Sequence, residues 1–254
     1  ILPSRSPEII GEVKKILSDF FEIDLEKFEI IFTGNTTEAV NIAAQFIQAE
    51  YEQTSNLVIL SSELEHNSNE LPWRFIPGAT LIRLPVDKEG FISHSELEEV
   101  LKNYNTEKKY GEKRIRVVAI SGASNVLGTF NNIEAISKIT HKYNSRLFVD
   151  GAQLTAHRSI NIDYAGVDYF AFSGHKIYAP FGTGALMIRK EFVKADADEL
   201  ELIKSSGEEN IVGIAAIGKA ISIMQRIGID TIEENEKKLI KKLLKSISEM
   251  HDLE

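Results

Sequence analysis

The sequence predicts an α/β fold, a three-layer sandwich around a mostly parallel sheet of roughly seven strands. Two observations carry this. Short runs rich in β-branched and aromatic residues recur with little charge inside them, the mark of strands buried on both faces. Amphipathic segments with 3.6-residue apolar spacing stand between most of these runs, and crossover helices of that kind let successive strands run parallel.

The elements follow in order. A helical pattern near 7–21 opens the chain, and the first strand pattern is EIIFT at 29–33. A helix over 37–51 leads to the strand at 57–61, and a third strand pattern covers 80–86. Helical spacing at 94–104 precedes the strand at 116–121, and helical spacing at 131–143 precedes the strand at 146–150. The last two strand patterns are 169–173 and 185–189. Beyond them, 210–228 reads as one helix and 231–250 as a long charged amphipathic one. The expected division is therefore 1–228 as one large unit and 229–254 as a helix leading out of it. Such a helix has nothing to pack against unless another domain or subunit covers it. Both ends, Ile1 and Glu254, are expected to be cuts in a longer polypeptide.

Composition narrows the chemistry. The chain has 254 residues and a net charge of -9, with no arginine-rich stripe, which argues against a nucleic-acid surface. With no cysteine, these residues form no disulfide, thiolate metal site or thiol nucleophile. The six histidines show no metal-ligand spacing. No leader pattern and no membrane-length apolar run is present, so the cytoplasm is the expected location. The run KKYGEKRI at 108–115 reads as a solvated loop.

Four strand ends carry candidate chemistry, where a sheet of this class binds ligands. TGNTTE at 33–38 opens a helix and offers N–H groups and hydroxyls, including those of Thr36 and Thr37, that suit a phosphate; a plain threonine N-cap reads equally well. His66, in SSELEHNSNELPW, can stack on a ligand ring or serve as a loop histidine. Asn125, in SNVLG, can address a ligand edge or simply make a turn. Asp150, in DGAQ, is a carboxylate at a buried strand end and needs a cationic partner; an N-cap is its ordinary alternative.

Lys176 follows the apolar run 169–172 in the turn SGHK, and no further charge occurs until Arg189. A lysine in such surroundings is expected to lose hydration, which favours its neutral amine and suits a Schiff-base former. From this run alone an ordinary loop lysine reads as well. Asp150 and Lys176 have one strand between them, so adjacent strands could bring both to one crevice. No Gly-x-Ser-x-Gly elbow occurs, and the single GTG at 182–184 precedes a strand rather than following one.

The stretches GNTTEAVN, EHNSNELPW, SNVLGT, DGAQ, FSGHKIYAPFGTGAL and ENIVGIAAIGKAI, in this order, resemble the class V aminotransferase and cysteine desulfurase family of pyridoxal-phosphate enzymes. The resemblance implies that 1–228 is the large, cofactor-binding domain of fold type I and that 229–254 is a helix leading toward a small C-terminal domain. It implies pyridoxal 5'-phosphate as cofactor, an amino acid as substrate and a homodimer. Lys176 would form the internal aldimine, Asp150 would pair with the pyridinium nitrogen, and His66 would stack over the ring. Gln153 and Asn125 would address the 3-hydroxyl side, while Thr37, the backbone at Thr36, Ser173 and His175 would hold the phosphate.

Two departures accompany the match. The family often has Gly-Thr-x-Asn, whose threonine reaches the neighbouring subunit's phosphate, where this chain has Gly207-Glu208-Glu209-Asn210; a carboxylate at Glu208 repels a phosphate. The stretch 190–204 is also shorter than the family's. The family's nucleophilic cysteine and carboxylate-gripping arginine would lie beyond Glu254. Desulfurase, selenocysteine lyase, transaminase, epimerase and other lyase chemistries all stay open on these residues. The contrasting reading is a catalytically silent relative that binds a phosphorylated ligand or serves in assembly.

Overall fold

In the computed structural model, residues 6–51 and 56–249 are described; Met250 and 251–254, the expected end of the last helix and of its unit, lie outside them. The strands are β1 (Phe28–Thr33), β2 (Leu57–Ser62), β3 (Thr80–Leu84), β4 (Arg114–Ser121), β5 (Arg146–Asp150), β6 (Tyr169–Ser173) and β7 (Gly184–Arg189). They form one sheet in the order β1-β7-β6-β5-β4-β2-β3. β7 runs antiparallel to both β1 and β6, and the remaining pairs are parallel.

The helices are α1 (Ser6–Phe21), α2 (Thr36–Tyr51), α3 (Leu71–Arg74), α4 (His94–Asn105), α5 (Ile133–Lys142), α6 (Leu154–His157), α7 (Ala197–Glu208), α8 (Ile211–Ile227) and α9 (Ile229–Ser248). Two cores flank the sheet, because successive residues of a strand point to opposite faces. Along β4, Val118 and Ile120 join Leu17 of α1, Leu97 of α4, Ile136 of α5 and Ile217 of α8. Val117 and Ala119 join Val40 and Ile47 of α2 and Trp73 of α3 on the other face. Burial on both sides explains why the charges of these strands lie mostly toward their ends.

Three differences from the sequence reading have local causes. The third strand ends at Leu84, and Val86 makes an isolated antiparallel bridge to Ile92 instead. The helix read over 131–143 spans Ile133–Lys142, because Asn132 caps it by accepting the Ala135 N–H at 3.1 Å. The stretch read as a shortened loop holds α7. It buries no residue fully, so its apolar period is weak, yet it is capped by Asp196, which accepts the Glu199 N–H at 2.9 Å.

α7 is held to β1 by charge and by close backbone approach. Glu29 of β1 meets Lys204 at 3.2 Å and Lys14 of α1 at 3.5 Å, and Lys14 also meets Glu208 at 3.5 Å. Gly207 faces the strand, where a Cβ would stand 1.9 Å from the Phe32 carbonyl oxygen.

α8 and α9 meet at Gly228 with a 73° bend, between the 1–228 and 229–254 units of the sequence reading. The start of α9 does find partners: Glu236 accepts from His157 Nδ1 at 2.6 Å and from Arg158 at 2.9 Å. Farther along, Leu239, Ile240, Leu243, Leu244 and Ile247 are exposed. No single helix among the described residues is long and apolar enough to cross a membrane.

Gly207→Ala tests the α7 contact. Alanine favours an isolated helix over glycine by roughly 0.5–1 kcal/mol. The collision is with a strand carbonyl that cannot rotate away, and overpacking of this kind costs about 1–3 kcal/mol. The clash outweighs the propensity, so thermal denaturation is expected to show a lower Tm.

Candidate active site

The strand directions assemble the site. β1, β2, β4, β5 and β6 all end at one edge, and β7 begins there. The register places Thr33 opposite Gly184 and Gly184 opposite Ser173; Asp150 lies opposite both Ser121 and Ala171. The connection from β6 to β7 crosses this edge and contains the 3-10 turn Gly174–Ile177 with Lys176. A cavity of about 350 Å³ opens among these strand ends, a volume typical of small-ligand sites.

One end of the cavity is the N-terminus of α2. Asn35, rather than a threonine, is the cap: its Oδ1 accepts the Glu38 N–H at 3.0 Å. Gly34 N–H donates to Glu38 at 2.6 Å, which closes the turn on itself. Ser173, buried at the end of β6, accepts the Thr36 N–H at 2.8 Å and shares a hydrogen bond with the Thr36 hydroxyl at 2.7 Å. This close approach requires Gly184, since a Cβ there would stand 2.6 Å from the Phe172 carbonyl oxygen and 3.0 Å from Asn35 Cα. Helix N-termini attract anions through their N–H groups and dipole.

His66 lies in the turn after β2. Its Nδ1 accepts the Ser68 backbone N–H at 3.1 Å and meets the Ser68 hydroxyl at 2.9 Å. A backbone amide can only donate, so Nδ1 is an acceptor and the neutral ring carries its proton on Nε2. The Ser68 hydroxyl also meets Thr37 Oγ1 at 2.7 Å, which links the histidine to the start of α2.

Asp150 is buried, 5% exposed, and accepts the Ala152 N–H at 2.9 Å. Burial pushes its carboxyl up to about 6, against the opposing pull of the Ala152 N–H and the Lys176 charge. His175 is held below its ordinary value by burial and by Lys176. Its ring stacks on Phe181 with centroids 4.8 Å apart.

All nine candidates from the sequence line this one cavity: Thr36, Thr37, His66, Asn125, Asp150, Gln153, Ser173, His175 and Lys176. The expected desolvation of Lys176 does not hold. The apolar residues before it turn into the two cores, while Lys176 stands beyond the strand end and is exposed. Glu208 is not among the lining residues; it ends α7 and faces Lys14. The sequence reading missed Ser68, Ser121 and Phe181, which also line the cavity. Ser121 was within reach of the strand-end rule that singled out Asp150, which it faces across β4 and β5. Among the described residues, no group of three or more acidic or histidine side chains is placed to hold a metal ion.

Comparison with known proteins identifies a family and relatives for this chain. The family model described as Aminotransferase class-V matches residues 3–254. A probable cysteine desulfurase of Borreliella burgdorferi is 33% identical, over 96% of this chain and 62% of that protein. A probable cysteine desulfurase of Halalkalibacterium halodurans is 34% identical, over 89% of this chain and 58% of that protein. The apo structure of a cysteine desulfurase from Thermococcus onnurineus NA1 superposes with a TM-score of 0.81 at 28% identity, covering 98% of this chain and 64% of that one. The chain thus spans between 58% and 64% of the length of these proteins.

Asp150 gives the site a pH signature. Its folded-state value, about 6, lies above its ordinary 3.8. The folded protein therefore holds this proton more tightly, and stability falls as pH rises from about 4 through 6. Denaturant titrations of Asp150→Asn are expected to lack this share of the slope, roughly 1–3 kcal/mol across the window. An identical slope in the variant would contradict the assignment.

Proposed function

Because the chain belongs to the class-V aminotransferase family, we propose that it binds pyridoxal 5'-phosphate in this cavity and acts on an amino acid as an enzyme of the cysteine-desulfurase type. The observation that carries the reading is the convergence of Asp150 and Lys176: a buried carboxyl without a bonded cation, beside a lysine whose side chain is exposed. Among the described residues no ion pair serves Asp150, and a protonated ring nitrogen is the partner it lacks.

The remaining residues fit the same ligand. The start of α2 with Thr37 and the side chains of Ser173 and His175 are suited to a phosphate, whereas the backbone N–H of Thr36, expected to share in this, is donated to Ser173. His66 offers a planar ring fixed by Ser68, and its Nε2–H is the donor available to a ligand or substrate. Asn125 and Gln153 supply amides for the ring hydroxyl. Bound here, the cofactor stabilises negative charge at the substrate Cα. Lys176 would hold the cofactor covalently through Nζ. With the substrate amine in its place, the same Nζ is the base for the Cα proton. These 254 residues contain no cysteine, so in a desulfuration the thiol that takes up sulfur comes from outside them.

A second copy of the chain is part of the proposal. Phe181 lines the cavity and is 84% exposed, and Val126, Leu127 and Tyr178, each within two residues of Asn125 or Lys176, are also exposed. A partner subunit over this mouth would remove that apolar surface from water.

Purified protein mixed with pyridoxal 5'-phosphate is expected to gain a visible absorption band that borohydride removes, with one cofactor mass retained on the peptide containing Lys176. Lys176→Ala should retain none. Label on another lysine, or no band in the wild type, would overturn the assignment. With the band in hand, L-cysteine plus an external thiol should yield alanine and sulfide, whereas transamination would yield a keto acid instead.

A further inference from the structure

Glu65 does not itself line the cavity. Part of this residue reaches the surface, but its carboxyl is buried beneath the site and takes hydrogen bonds from three elements. Ser62 Oγ, at the end of β2, donates to Oε1 at 2.5 Å. Asn69 Nδ2, from the turn Asn67–Asn69, donates to Oε2 at 2.7 Å, and Ser121 Oγ, at the end of β4, donates to the same oxygen at 2.7 Å. Ser62 Oγ already accepts the Leu64 N–H at 3.2 Å, which leaves its own proton for Glu65. One step further, Asn69 Oδ1 accepts from Trp73 Nε1 at 3.1 Å, and both residues are buried.

Both ends of this network meet the cavity. Ser121 lines it, and Glu65 immediately precedes His66. Packing alone does not call for a carboxyl here: a buried acid costs several kcal/mol in desolvation, and an apolar side chain of similar size would not. What a carboxyl provides is acceptor capacity for several donors from separate elements at once. We propose that Glu65 is a positioning residue: by bonding Ser62, Asn69 and Ser121 together it fixes the turn carrying His66 against the end of β4, and so sets where the imidazole meets the bound ring. This rests on the cofactor reading of the cavity.

The surroundings of the carboxyl make the claim measurable without cofactor. Burial pushes Glu65 up to about 7, and the hydroxyl and amide donors pull the other way. The nearby titratable groups are Glu63 and His66 on its own segment and Asp150 of β5 opposite Ser121, with Lys176 acting on Asp150. Trp73, the only tryptophan in the chain, is one hydrogen bond from Asn69 and therefore reports on the network.

The experiment compares wild type with Glu65→Gln by two readouts: Trp73 emission of the cofactor-free protein against pH, and the dissociation constant for pyridoxal 5'-phosphate. Wild-type emission is expected to change with a midpoint near 7, and the variant to lose that transition. The variant should bind cofactor about tenfold more weakly, the worth of one well-made hydrogen bond. Unchanged emission and unchanged affinity would overturn the proposal. Altered emission with unchanged affinity would leave Glu65 a purely structural group and overturn its positioning role. Should Glu65→Gln not fold, Ser121→Ala cuts one of the three bonds, and the same two readouts decide in the same way. A wild type that binds no cofactor would refute the cofactor reading, and the emission comparison would separately show whether Glu65 holds the turn.

Discussion

The structure depends on one constraint of hydrogen-bond register: β1, β4, β5 and β6 must end at the same edge of the sheet. β7, running the other way between β1 and β6, enforces this by pairing Gly184 with Thr33 and with Ser173 at once. A slip of one residue in either pairing would turn every side chain of a strand to the opposite face. Because both faces are buried, such a slip exposes or strands whole rows of apolar residues. The two cores therefore fix the register, and the register fixes the distance between Asp150, Ser173 and the turn at Lys176.

Burial at that edge is arranged so that the polar groups are tied to one another rather than to solvent. Ser173 takes the Thr36 N–H, His66 takes the Ser68 N–H, and Glu65 gathers three donors. Asp150 differs. It accepts one backbone N–H, and its carboxyl is raised by burial with no ion pair among the described residues. A buried acid of this kind costs stability on its own and favours a cationic ligand, which is how a binding site stores affinity. The same balance makes the cofactor reading of the cavity physically economical.

Much of this was legible in the sequence because it follows from local pattern. Apolar runs with little charge marked the strands, and the rule that ligands gather at strand ends drew Asp150, His66, Asn125 and Lys176 to one place. The errors share a cause in tertiary packing. Lys176 is exposed although its sequence neighbours are apolar, since those neighbours alternate into the cores and the turn leaves the strand. α7 escaped notice because none of its residues is fully buried: Gly207 against a carbonyl and ion pairs with Lys14 and Glu29 hold it, beside the partly buried Leu200 and Ile203. The link from Glu65 to Ser121 spans 56 positions, and no spacing rule in the chain announces it.

The most direct measurement is a crystal structure of the protein grown with pyridoxal 5'-phosphate. The account predicts density continuous from Lys176 Nζ into the ring, a ring nitrogen within hydrogen-bond distance of Asp150, and His66 against the ring face. A cofactor bound through another lysine, or a ring whose nitrogen meets no carboxylate while Asp150 keeps only the Ala152 N–H, would contradict it.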